Sequence, residues 1–96
     1  MDFEYHELKS IANLRKHGIS LEDAKELWLV AHVQLDAGVA EEPRSIIVGK
    51  INHRCYSCIF TMRGETVRLI SARRSRSKEE KIYHEQTQKE TDGQGV

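Results

Sequence analysis

Ser45-Ile46-Ile47-Val48-Gly49-Lys50-Ile51, Cys55-Tyr56-Ser57-Cys58-Ile59-Phe60-Thr61-Met62 and Thr66-Val67-Arg68-Leu69-Ile70-Ser71-Ala72-Arg73 are the stretches whose reading decides the fold. Each is rich in β-branched and apolar residues, as strands are. The connections Asn52-His53-Arg54 and Arg63-Gly64-Glu65 are short enough for hairpins, so the three runs predict an antiparallel meander.

Upstream, the spacing of Leu8, Ile11, Ala12 and Leu14 predicts a helix over 7–16 with one apolar side. Gly18 is placed to close that helix in the left-handed conformation, with His17 at the negative end of its dipole. Ser20 before Glu22 and Asp23 is a helix-start signal. Leu21, Ala24, Leu27, Trp28 and Ala31 then recur at steps of three and four, predicting a second helix paired tightly with the first. Asp2-Phe3-Glu4-Tyr5 alternates as a short strand would, and residues 32–44, ending in Glu41-Glu42-Pro43-Arg44, read as a loop stiffened by the single proline. Ser77 with Glu79 and Glu80 repeats the cap signal, and Ile82 and Tyr83 give a third helix its apolar edge. From 87 to 96 there is almost nothing to bury, which predicts a disordered tail behind a single domain of 1–86. The fold class expected is α+β, an antiparallel sheet with helices packed on one face.

With 96 residues, 39% hydrophobic and 31% charged, the chain has enough for one core. No apolar run is long enough to cross a membrane and the start lacks a signal-peptide pattern, so a cytoplasmic protein without membrane contact is expected. The net charge of zero hides a segregation: residues 21–42 hold six acids and one base, and residues 63–81 hold seven bases and three acids. A basic stretch of this kind suits RNA phosphates or an acidic protein partner, and charge alone does not choose between them. Cys55 and Cys58 make a C-x-x-C without a second ligand pair at similar spacing, and residues three apart in a strand point to opposite faces. Both are read as structural thiols, with no metal and no cofactor expected.

Taken together, Asn13-Leu14-Arg15-Lys16-His17-Gly18-Ile19-Ser20 with Glu22-Asp23-Ala24, Glu42-Pro43-Arg44 ahead of Gly49-Lys50, Phe60-Thr61-Met62-Arg63-Gly64-Glu65, and Val67 to Arg74 with Glu80 and Tyr83 behind form a specific set in order and spacing. In these the chain resembles the BrnT family of toxins, within the wider RelE-like group of small ribonucleases, over roughly residues 2–85. It departs where family members carry Asp or Asp-Pro after the aromatic, reading Leu29-Val30-Ala31-His32 after Trp28. The resemblance implies a RelE-like fold, RNA cleavage that inhibits translation, and a BrnA-type antitoxin that covers the toxin in a hetero-oligomer binding operator DNA through the antitoxin.

RNA cleaves when its 2′-hydroxyl is deprotonated and attacks the adjacent phosphate, which calls for a base, cations and an acid, and no metal. Arginines suit the charge, because they stay protonated and offer forked donors. The candidates for catalysis are Arg63 and Arg73 first, His17 for proton transfer because histidine exchanges protons near neutral pH, Lys16 beside it for phosphate, and Tyr83, which RelE-like enzymes often bring to the groove. Arg68, Arg74, Arg76, Arg44 and Glu42 are the candidates for RNA contact. On an ideal strand Arg68 and Arg74 share one side and Arg73 goes opposite, unless a bulge intervenes. Structural readings stand beside these: surface arginines serving solubility or antitoxin contact, a dipole-stabilised His17, a solvated Lys16, a stiff turn at Glu42 and Arg44, and a Tyr83 that packs the last helix. His6, His32, His53 and Trp28 are read as structural or surface residues. A non-catalytic module using the same basic surface is the alternative function.

Overall fold

In the computed structural model of the chain, which describes residues 1–38 and 42–94 and the side chains of 1–38 and 42–88, the elements run in this order. They are β1 (Asp2–Glu4), α1 (Glu7–His17), α2 (Leu21–Ala24), a 3-10 turn (Lys25–Leu29), β2 (His32–Asp36), β3 (Ser45–Ile51), β4 (Arg54–Arg63), β5 (Thr66–Arg74) and α3 (Ser77–Gln94). The five strands make one sheet in the order β1-β5-β4-β3-β2, with β1 parallel to β5 and every other pairing antiparallel. The expected meander is β3-β4-β5. Residues 32–36, expected as loop, form the edge strand β2, whose alternation of buried Val33 with half-buried Leu35 suits one covered face. Residues 39–41 of the expected loop lie outside the described residues.

Strand alternation divides the core in two. Ile19, Leu21, Ala24 and Leu27 from the helical region meet Ile47, Cys58, Phe60, Val67, Leu69 and Ala72 on one face of the sheet. Val33, Val48, Cys55 and Tyr83 meet on the other, under α3. The helices therefore occupy both faces, a correction to the one-face expectation. The reason is visible in β3 and β4, which carry apolar side chains at both parities, as strands buried on two sides do. Cys55 and Cys58 fall in different clusters and are free thiols, as their spacing predicts.

The second helix is shorter than expected, because after Ala24 it tightens into the 3-10 turn. Leu21, Ala24 and Leu27, all fully buried, are spaced by three, and a helix with three residues per turn lines them up in one row. Trp28 packs edge-on between Phe3 and Phe60, with ring centroids 5.1 Å away on each side. The stretch from Leu29 to His32 crosses close over Gly49. A Cβ there would lie 3.1 Å from the Ala31 carbonyl oxygen and 3.2 Å from a Leu27 methyl, so glycine permits this approach.

The apolar side expected to bury α1 faces outward: Leu8 is 70% exposed, and Ile11 and Leu14 are each 48% exposed. Polar Ser10 and Asn13 face inward instead. The Ser10 hydroxyl accepts from the backbone N–H groups of Leu21 (3.0 Å) and Glu22 (3.2 Å). The Asn13 amide donates to the carbonyls of Ile19 (2.8 Å) and Ala72 (2.7 Å) and accepts from the Ala72 N–H (3.2 Å). β1 pairs with β5 only at 66–68, so Asn13 serves the edge that β1 leaves uncovered, acting as a surrogate peptide. Gly18 closes α1 at φ 77°, its N–H bonding the Leu14 carbonyl as expected.

α3 packs on β2 and β3 and continues to Gln94, past the point where a tail was expected. Glu, Gln and Lys are adequate helix formers, and the Thr87 hydroxyl bonds back to the Tyr83 carbonyl at 2.8 Å. Residues 95 and 96 lie outside the described residues.

Candidate active site

A single irregularity in β5 decides which arginines share a surface. Pairing with β4 runs Arg63 to Thr66, Thr61 to Arg68 and Phe60 to Leu69, then slips so that Ile59 faces Ser71, Ser57 faces Arg73 and Tyr56 faces Arg74. Ile70 is the extra residue, as in a β-bulge. The slip reverses parity beyond it, so Arg68 and Arg73 share the α3 face with Arg63, and Arg74 turns to the opposite face. This corrects the ideal-strand grouping of Arg68 with Arg74. Arg74 lies over the Tyr56 ring, 5.8 Å from its centroid.

At one end of this face, Arg63 and Arg68 form a loose network with two carboxylates. Arg63 Nε is 3.8 Å from Glu4 and 3.6 Å from Glu42, and Arg68 is 3.3 Å from Glu4. All four side chains are at least 40% exposed, so these pairs contribute about 0–1 kcal/mol each and yield readily to another anion. Arg44 is exposed nearby in sequence, where the Thr61 hydroxyl ties the chain down by donating to the Pro43 carbonyl at 2.6 Å.

At the other end Arg73 is committed. Its two terminal nitrogens donate to the two carboxylate oxygens of Glu79 at 2.7 and 2.8 Å, a forked pair in which the side chains are only 17% and 10% exposed. Glu79 also accepts from the Arg76 backbone N–H (2.8 Å) and the Ser57 hydroxyl (2.9 Å). The Arg73 hydrogen bond, offset in part by burial and aided by Arg76 and Ser57, lowers the Glu79 pKa from 4.5 to about 2. The same bond raises that of Arg73. The sequence marks Glu79 only as part of a helix-start signal, without a place in the site. Its signal is the capping box, since the cap is Arg76 rather than Ser77, and Glu79 is the residue three later that reaches back to the cap N–H. Arg76 itself is exposed at the start of α3.

Lys16 and His17 lie elsewhere, in a cleft of about 220 Å³ lined with Lys9, Ala12 and Asn13 of α1 and with Ile70 and Ser71 at the slip in β5. These two β5 residues fall between Arg68 and Arg73 along the strand. Tyr83, expected at the groove, is 7% exposed and packs with Val33, Val48 and Cys55, so its ring is not available to stack on a base. Burial, and then Cys55, push its hydroxyl up from the usual tyrosine value. One cluster of metal-ligand types stands among the described residues: Cys55, Glu80 and His84, whose ligand atoms lie within 4.8 Å of one another.

Residues 5–79 match the model of a family described as the ribonuclease toxin, BrnT, of type II toxin-antitoxin systems. The chain belongs to the BrnT family. No curated protein matches it. The match takes in α1 with Lys16 and His17, the slipped strand with its arginines, and ends at Glu79. As a BrnT protein the chain is a ribonuclease toxin of a two-protein system, with RNA as target and a protein antitoxin as partner. Among the described residues no helix is long and apolar enough to cross a membrane.

Proposed function

We propose that this protein is a RelE-like, metal-independent endoribonuclease that inhibits translation in the cytoplasm. The observation that carries the reading is the alignment of Arg63, Arg68 and Arg73 on one sheet face, with the cleft of Lys16 and His17 meeting the same strand at Ile70 and Ser71. His17 takes the proton of the 2′-hydroxyl, and its oxygen attacks the adjacent phosphorus. The bond to the 5′-oxygen breaks, and that oxygen receives the proton, leaving a 2′,3′-cyclic phosphate and a 5′-hydroxyl. Arg63, Arg68 and Lys16 meet the charge that builds on the phosphate, while Glu4 and Glu42 release their arginines to it. Arg73 acts through Glu79 as a positioning residue, and Arg44 and Arg76 extend the phosphate path.

Neutralisation falls to a BrnA-type antitoxin, which joins the toxin in a hetero-oligomer and carries its operator-DNA contact. The outward Leu8, Ile11 and Leu14, flanked by Lys9, Arg15 and Lys16, give an acidic amphipathic segment of that partner an apolar seat. A second reading, a non-catalytic RNA-binding module, is favoured by the commitment of Arg73 and Tyr83 to packing. Purified protein incubated with an RNA oligonucleotide in chelator separates the two. Products ending in 2′,3′-cyclic phosphate by mass spectrometry, lost in His17→Ala, support the enzyme. Binding with intact RNA supports the module.

A further inference from the structure

Cys55, at the start of β4, is 4% exposed and packs with Val33, Val48 and Tyr83. Above it on α3, Glu80 and His84 stand one helical turn apart, with 3.6 Å between a Glu80 carboxylate oxygen and His84 Nε2. The thiol sulfur, a carboxylate oxygen and an imidazole nitrogen all lie within 4.8 Å of one another. The Tyr83 ring meets the His84 imidazole edge-on, with centroids 5.4 Å apart, which limits the directions its nitrogens can take. One sulfur, one nitrogen and one oxygen donor is a set that suits zinc, with the half-exposed rim leaving a fourth position for water.

We propose that Cys55, Glu80 and His84 bind one zinc-class divalent cation that fastens α3 to the sheet. The thiol gives its proton to solvent as the sulfur coordinates. Burial first, and then the Glu80 carboxylate, hold the thiol pKa above its usual value, and a divalent cation opposes both effects. Lys50, directly across from Cys55 on β3, and Arg74 are the nearby cations that weaken binding. Two of the three ligands lie beyond residue 79, where the family match ends, and the site does not rest on the ribonuclease reading. Glu80 follows Glu79 directly, so cation and Arg73 would hold the same turn of α3.

The test is cobalt titration of the full chain stripped with chelator. The result expected is a thiolate-to-cobalt absorption band that saturates at one equivalent and is displaced by Zn2+. Cys55→Ser removes the band, and Glu80→Gln or His84→Ala weakens binding on the order of tenfold to a hundredfold. Zn2+ at about a hundred times its Kd raises the wild-type Tm on the order of 10 °C and leaves the Cys55→Ser Tm in place. His84→Ala, at a half-exposed position, keeps the comparison valid should Cys55→Ser fold poorly. Absence of a thiolate band at about millimolar cobalt, or a band unchanged in His84→Ala, would overturn the proposal.

Discussion

Replacing Glu79 with Gln strikes the point where the sheet, the start of α3 and Arg73 are joined. The carboxylate accepts two bonds from Arg73, one from Ser57 and one from the Arg76 backbone, in a pair 10% and 17% exposed. Its pKa falls from 4.5 to about 2, which corresponds to about 3 kcal/mol of preference for the charged form. Breaking a mostly buried pair from one side leaves a charge without its partner and typically costs about 3–5 kcal/mol. The isosteric amide keeps part of the hydrogen bonding, so the expected loss is about 2–3 kcal/mol, or roughly 10–20 °C in Tm for a domain of this size. Because the folded value lies below the unfolded one, the wild type carries this stability in full above about pH 4.5 and loses it as the pH falls towards 2. Urea denaturation at a series of pH values reads both effects. Glu79→Gln should lower the midpoint at pH 7 and flatten the decline between about pH 4.5 and 2, whereas Glu80→Gln should change stability by no more than about 0.5 kcal/mol without added metal. A Glu79→Gln protein within about 0.5 kcal/mol of wild type, with the acid slope unchanged, would refute the reasoning.

Asn13→Ala leaves the Ile19 and Ala72 backbone groups without their buried partner and should cost about 2–4 kcal/mol by denaturation, with the edge at Ala72 exchanging its amide hydrogen faster. Leu8→Ser with Ile11→Ser removes exposed apolar surface, so stability should hold within about 0.5 kcal/mol. Toxicity in cells should persist, while rescue by the product of the adjoining open reading frame should fail; full rescue would count against α1 as the antitoxin's seat. Cys58→Ala, in the fully buried core, should destabilise by about 1–2 kcal/mol in a thermal melt and leave cobalt binding at Cys55 intact.

The meander was legible because β-branched runs and short turns are local signals, and the cysteine faces followed from strand period alone. The orientation of α1 was not. Its apolar spacing names an amphipathic helix and cannot say which side finds the sheet, and here Asn13 and Ser10 win the inward side by bonding backbone that no strand pairs. β2 was lost to the weight of one proline and a short alternation, although Val33 and Leu35 carry the period. The candidate site depended on non-local facts. The slip at Ile70 leaves no mark in the sequence beyond the possibility of a bulge, yet it moves Arg73 to the side of Arg68 and Arg74 away from it. Glu79 and the grouping of Cys55 with Glu80 and His84 require knowing that α3 returns over β2 and β3.

Single-turnover RNA cleavage by Arg68→Ala set against Arg74→Ala tests the account most directly, because the slip in β5 puts these two residues on opposite faces. The account predicts a fall on the order of 10²–10³ in rate for Arg68→Ala and a change below about threefold for Arg74→Ala, both proteins remaining folded. The reverse ranking, or equal losses in both, would contradict it.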